Sequence, residues 1–294
     1  IRGAADRNGT RIMPRRSDAL FAGRPSLSMR ILGALAGLMV ASASLSETVL
    51  LVHGYLSNPN DWRRAGVVAE LGRAGWADGG TVSPYDRGVV RGPETNGQTH
   101  KRLYTVALPD HAPLQVQAGL LADAVYWVHK RHPDEALAVV GHSAGGVVAR
   151  LMMVQQPQTR ISELISIASP HLGTESANLG VLAGESPLAE LAPLLGAGKF
   201  TQSLGLYQDL VPEHPGSLLY WLNRQDHPPA RYVCAVRENA GMDLGELVVP
   251  AWSQDLNRVQ ALRGRAERHA LTGFHGLIAS DGQWLADVLG RGGI

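Results

Sequence analysis

Residues 137–146 read LAVVGHSAGG, and the Gly141-His142-Ser143-Ala144-Gly145 stretch inside them sets a serine between two glycines. A strand-like apolar run leads in and a helix-like segment leads out. So tight a strand-to-helix reversal forces residue 143 into strained backbone geometry, at a cost of about 1 to 3 kcal/mol. Side chains at the flanking positions would collide with the neighbouring strand and helix, which is why glycines stand there. The serine hydroxyl then projects clear of the sheet. The N-terminus of the following helix turns its free amides and partial positive charge toward the same spot. A serine so placed suits nucleophilic chemistry if a base lies within hydrogen-bond reach. An ordinary glycine-rich turn would not require serine at its apex.

The elements that must position this serine follow from the apolar pattern. TVLLVHG (48–54) reads as a buried strand, and DWRRAGVVAELGRAGW (61–76) as a helix N-capped at Asn60/Asp61. Residues 77–101, rich in Gly, Pro and polar groups, read as a long loop. LYTVALP (103–109) is the next strand, and the helix from Leu114 is ended by Pro133. The strand LAVVGHS, the helix AGGVVARLMMVQQ stopped before Pro157, and the strand ELISIAS follow. This alternation predicts an α/β fold with a mostly parallel central sheet and helices on both faces. Pro and Gly then divide residues 170–230 into short apolar stretches, read as a cap insertion over the sheet. Leu188, Leu191, Leu194 and Leu195 recur there at helical spacing, which suits a lid over an apolar pocket or a packed cap helix. RYVCAVR (231–237) resumes the strand pattern and DGQWLADVLG (281–290) closes with a helix. Cys234, the single cysteine, alternates into that strand as a small buried apolar residue and permits no internal disulfide.

The first 46 residues differ in character from the rest. Residues 1–28 show no helical or strand periodicity and read as a disordered or non-native upstream extension. Met29-Arg30 then opens a short basic start, an apolar run and the small-residue stretch Ala41-Ser42-Ala43, so 29–46 matches a secretory signal peptide. The apolar run falls short of the roughly 20 residues that span a bilayer. The expected location is secreted or periplasmic, with an uncleaved membrane anchor as the alternative. Seven of the 27 basic and two of the 26 acidic side chains lie in residues 1–46, so the formal charge of +1 becomes −4 from residue 47 onward. A mildly acidic body without a basic run gives no footing for nucleic acid. Residues 47–294 suffice for one large α/β domain.

VLLVHGY, VVGHSAGGVVAR, IASPHLGT and FHGLI, in this order along the chain, resemble segments of the α/β-hydrolase family, and most of all its bacterial lipase/esterase (triacylglycerol lipase-like) branch. In the resembling enzymes the amide after a His-Gly pair and the amide after the serine form the oxyanion hole. That implies Tyr55 and Ala144, two preset donors each worth about 3 to 4 kcal/mol of barrier. The resemblance also implies the chain order serine, acid, histidine. Of the five downstream histidines, His214 and His227 adjoin prolines, His269 sits in a charged stretch, and His171 reads as pocket shape, as does His142. His275, on a glycine-flanked loop before the last helix, stands where the family carries its base. Glu246-Leu247-Val248-Val249-Pro250 aligns with the family's Asp-x-Val-Val-Pro, which implies Glu246 as the acid, with Asp243 as the alternative and Asp209 or Asp255 as remoter ones. His53 is read as a hydrogen-bonding support for its loop.

The resemblance implies an exported serine hydrolase that cleaves carboxylic esters through an acyl-serine intermediate. Thioesterase, acyltransferase and amidase chemistry use the same triad, and a non-catalytic binding protein on this fold is the non-enzyme alternative. No cofactor or metal is called for: the sequence holds no His-x-x-x-His, no cysteine pair and no acidic loop of calcium-binding spacing. The expected partner is a small-molecule or lipid ester, with transient contact with lipid surfaces.

Overall fold

A computed structural model of the chain describes residues 47–86, 89–91, 100–175, 203–238 and 248–291. All of these lie in one compact unit, Leu45–Ile294. The elements in chain order are β1 (Glu47–Val52), α1 (Asp61–Arg64), α2 (Val67–Arg73), β2 (Ala77–Ser83), β3 (Val89–Arg91), β4 (Lys101–Val106), α3 (Leu114–Arg131) and β5 (Ala136–His142). There follow α4 (Ala144–Gln155), β6 (Glu163–Ile167), α5 (Leu204–Asp209), α6 (Leu218–Leu222), β7 (Arg231–Arg237), α7 (Ala251–Gln254), β8 (Ala266–Leu271) and α8 (Ala279–Arg291). The strands form one sheet in the order β3-β2-β4-β1-β5-β6-β7-β8. Every neighbouring pair is parallel except β2 with β3 at one edge.

Alternation along the inner strands shows why their runs are apolar throughout. Leu50 and Val52 face the same core as α3 and α4, including Leu121, Val125, Val147 and Leu151. Val49 and Leu51 face the other core, with Val67 and Leu71 of α2 and Leu285 and Val288 of α8. A strand covered on both faces has no polar side to offer, as in parallel sheets generally. The expected α/β architecture is therefore the observed one.

The topology marks the place where ligands bind in sheets of this kind. The chain builds β2, β3 and β4 on one side of β1, then crosses to build β5 through β8 on the other. In open α/β sheets, ligands bind outside the carboxyl ends of the strands where the strand order reverses. Here that place is the carboxyl end of β1 and β5, where Val52 lies level with Gly141.

Two readings of local structure are corrected. Residues 77–101 are not one long loop, since β2 and β3 lie within them. Gly79, one of the glycines that suggested a loop, serves packing. A Cβ at Gly79 would lie 2.8 Å from Cζ of Tyr104, and the β2–β4 register shifts between Asp78 and Thr81. The helix read over 61–76 is two, because Gly66 takes φ +81° between them. Its expected side-chain cap is absent as well. Asn60 makes none, and the Asp61 carboxylate instead accepts from Asn58 N at 2.8 Å and Ser57 Oγ at 2.6 Å. The charged stretch around His269 is a strand, β8, at the sheet edge. Arg231 of β7 pairs across it with Glu267, and charge on an edge strand discourages pairing with another chain.

Candidate active site

The strand-to-helix turn at Ser143, the elbow, is formed as the composition requires. Ser143, between β5 and α4, takes φ 52° and ψ −129°. The glycines around it answer to close approach. A Cβ at Gly141 would lie 2.6 Å from the Gly145 carbonyl carbon, one at Gly145 2.6 Å from the Val52 carbonyl oxygen, and one at Gly146 2.9 Å from Cβ of Ser169. The first turn of α4 thus rests on the end of β1 and on the strand-end loop after β6. Ser143 N donates to the Ile167 carbonyl at 2.9 Å, which ties the strained residue to β6.

Ser143 Oγ lies 2.9 Å from Nε2 of His275, on the loop between β8 and α8. Both residues are buried, 4% and 3% exposed. No described residue pairs with the buried Nδ1 of His275. Burial first, then the neighbouring His142 and Arg237, hold the His275 imidazole well below the ordinary histidine range, so these surroundings favour the neutral ring that can accept a proton. Glu246 and Asp243 lie outside the described residues. The two remoter acids are engaged elsewhere. Asp209 Oδ2 accepts from Leu114 N at the start of α3, at 2.7 Å, and Asp255 accepts from Asn257 N and pairs with Arg268.

The His53-Gly54-Tyr55 turn leaves β1 directly beside the serine. A Cβ at Gly54 would stand 2.8 Å from Cβ and 3.4 Å from Oγ of Ser143. Ala144 opens α4, so its N–H is one of the first-turn amides that no helical carbonyl can satisfy. The Tyr55 phenol meets the Tyr207 hydroxyl at 2.6 Å and donates to Ser203 Oγ at 3.2 Å, which braces this turn against α5. His53 supports the loop: Leu108 N donates to its Nε2 at 3.2 Å, so Nδ1 carries the proton and donates to the Gly54 carbonyl at 3.0 Å.

The other histidines separate clearly. His171 does not shape an open pocket. It is fully buried, with Nε2 2.9 Å from Ser166 Oγ, while its carbonyl accepts from the buried Arg150 and from Asn223. His214 and His227 bond carbonyls of their own turns, at Pro215 and Gln225. His269 stacks edge-on against Trp284. Of the leucines read as a lid, Leu188, Leu191, Leu194 and Leu195 lie outside the described residues, as do residues 1–46.

Two residues at this site were not singled out from sequence. Arg237, the last residue of β7, and Asp281, in the first turn of α8, form a buried bidentate pair at 2.8 and 2.6 Å, each 1% exposed. Arg237 Nη2 also donates to the Gly276 carbonyl at 3.1 Å, and Ile278 N donates to Asp281. The signal available in sequence was an arginine at the carboxyl end of the strand, after the apolar run Tyr232–Val236.

A doubly covered parallel sheet with a strained serine at its central strand-helix turn, facing a histidine from the carboxyl-terminal loop, defines a class. The chain has the α/β-hydrolase fold. Residues 99–179 match the family model described as PGAP1-like alpha/beta domain. Among solved structures it is similar to the product of the gene lin2722 from Listeria innocua, at 14% identity and a TM-score of 0.52, over 81% of this chain and 88% of that one. It is also similar to the propeptide form of the Bacillus licheniformis lipase BlEst2, at 14% identity and a TM-score of 0.50, over 85% of this chain and 51% of that one. No curated protein matches the sequence. No helix among the described residues is long and apolar enough to cross a membrane.

Proposed function

We propose that the chain is an exported serine hydrolase that cleaves carboxylic esters. The observation that carries this reading is the 2.9 Å approach of His275 Nε2 to Ser143 Oγ at a strained strand-helix apex. In the proposed cycle, His275 takes the Ser143 proton as Oγ attacks the ester carbonyl carbon. The amides of Tyr55 and Ala144 receive the charge that develops on the carbonyl oxygen. The C–O bond to the alcohol breaks as His275 returns the proton to the leaving oxygen, which leaves an acyl-serine. Water, deprotonated by His275, then attacks that ester; the acyl C–Oγ bond breaks, His275 returns the proton to Ser143 Oγ, and the acid is released.

The cycle asks for a carboxylate that fixes the imidazole tautomer through Nδ1, and Glu246 is assigned that role, with Asp243 second. The chain that carries them leaves β7 at Arg237, which binds the His275 loop, and returns at Val248, whose carbonyl accepts from the Thr174 hydroxyl. BlEst2 from Bacillus licheniformis, which shares the fold, is a lipase, and this agrees with the ester reading.

The test is hydrolysis of p-nitrophenyl esters across acyl lengths, with thioester and anilide analogues alongside. Ser143→Ala is expected to lower kcat by about 10⁴-fold or more while the protein stays folded. Hydrolysis that survives this substitution overturns the proposal. Turnover confined to the thioester or the anilide moves the substrate class to one of those.

A further inference from the structure

We infer that His142, the second residue of the elbow pentapeptide, is a positioning residue for the base, acting through the main-chain carbonyl of His275. The inference rests on the hydrolase reading above. His142 closes β5 and is buried. Its Nε2 lies 2.8 Å from the His275 carbonyl oxygen. A carbonyl can only accept, so Nε2 carries the proton. The two imidazoles are 5.3 Å apart between centroids, and Trp62 meets the His142 ring edge-on at 6.4 Å.

The next carbonyl along the same loop is also taken. Gly276 O receives Arg237 Nη2, and Arg237 is fixed in turn by Asp281. Two consecutive peptide units are therefore held, one from β5 and one from β7, on a segment with no helix or strand of its own. His142 and Ser143 are adjacent in sequence, so the strand that sets the nucleophile also sets the base. Reacting groups must be aligned closely, and a displacement of about 1 Å can cost a hundredfold in rate. A hydrogen bond from the elbow to the backbone of the base restricts that displacement, whichever carboxylate orients the ring. The composition of the motif follows. Position 142 can be filled by many side chains in a strand, but only one that reaches across the turn with a donor can hold position 275.

The test compares three full-length variants in p-nitrophenyl butyrate hydrolysis. His142→Phe keeps the packing against Trp62 and removes the donor. His142→Gln presents an amide N–H near the place of Nε2, and His142→Asn is one methylene too short to do so. Rates are expressed per active serine, counted by endpoint labelling with a fluorophosphonate, so that misfolded protein does not contribute. His142→Phe and His142→Asn are expected to lose about 10- to 100-fold in kcat with KM changed by no more than about twofold, and His142→Gln to recover to within about fivefold of the parent. The role is overturned if the Phe and Asn variants keep kcat within about twofold of the parent, or if Gln falls as far as they do. Should Phe at 142 not fold, the Gln and Asn pair decides alone. Ser143→Ala in the same assay separates the two readings. If that variant stays active, the hydrolase proposal fails. If it is inactive while the His142 variants match the parent, only the positioning role fails.

Discussion

At the residue scale, the site is a set of histidines held neutral by burial. His142 shows the consequence for stability. Burial, opposed by its hydrogen bond to His275 and reinforced by Arg237, lowers its pKa to about 4. In the unfolded chain the same group titrates near 6.5. Above pH 6.5 it is neutral in both states and its contribution is fully present. As pH falls from 6.5 toward 4, the unfolded chain takes up a proton that the folded chain refuses, so stability is lost through that window. The loss from this residue is on the order of 3 kcal/mol. His142→Gln has no such group and is expected to lose correspondingly less between pH 7 and pH 4. Urea unfolding of parent and variant at both pH values checks this, and parallel losses would exclude His142 as a source of the acid sensitivity.

At the element scale, the β5–α4 reversal depends on backbone surfaces that touch. A methyl at Gly145 would be driven against the carbonyl oxygens of Val52 and His53, neither of which can move without disturbing the end of β1. Gly145→Ala is therefore expected to destabilise the fold by about 1 to 3 kcal/mol and to reduce activity. Gly119, in the middle of α3, provides the contrast, because nothing lies within 4 Å of its would-be Cβ. Gly119→Ala should stabilise by roughly 0.5 to 1 kcal/mol through helix propensity alone. Thermal unfolding of the two variants measures the difference, and equal effects would refute the packing argument. The last helix is tied in by charge. Breaking a buried ion pair strands a charge, so Arg237 and Asp281 bind the end of β7 to the start of α8 across the loop that carries His275.

At the scale of the whole molecule, the strand order reverses across β1, and the His53-Gly54-Tyr55 turn, the Ser143 turn and the His275 loop all meet at the carboxyl ends of β1 and β5. The charge division along the chain belongs to this scale too. Seven arginines precede a body of net −4, and one of them, Arg30, opens the segment proposed as a leader. The proposed export is tested by N-terminal sequencing of material recovered outside the cell, which is expected to read from about residue 47. A mature chain that begins upstream of Met29 would overturn the leader assignment.

Much of the fold was legible because its causes are local. Apolar runs that need covering on both faces announce a parallel sheet, and glycines around one serine announce a tight reversal. The strands at the two edges were not legible. Gly79-Gly80 reads as loop until Tyr104 is seen lying over it, and β8 reads as surface because half its residues are charged or polar and face water. Sequence also named Ser143 and His275 as residues suited to chemistry, through the turn that one requires and the family resemblance that carried the other. Only the tertiary structure could bring these two, 132 positions apart, to 2.9 Å, or reach from His142 to the carbonyl of His275. Nothing in a linear pattern encodes such contacts. They depend on how far each strand runs before its loop turns, and packing across the sheet sets that distance.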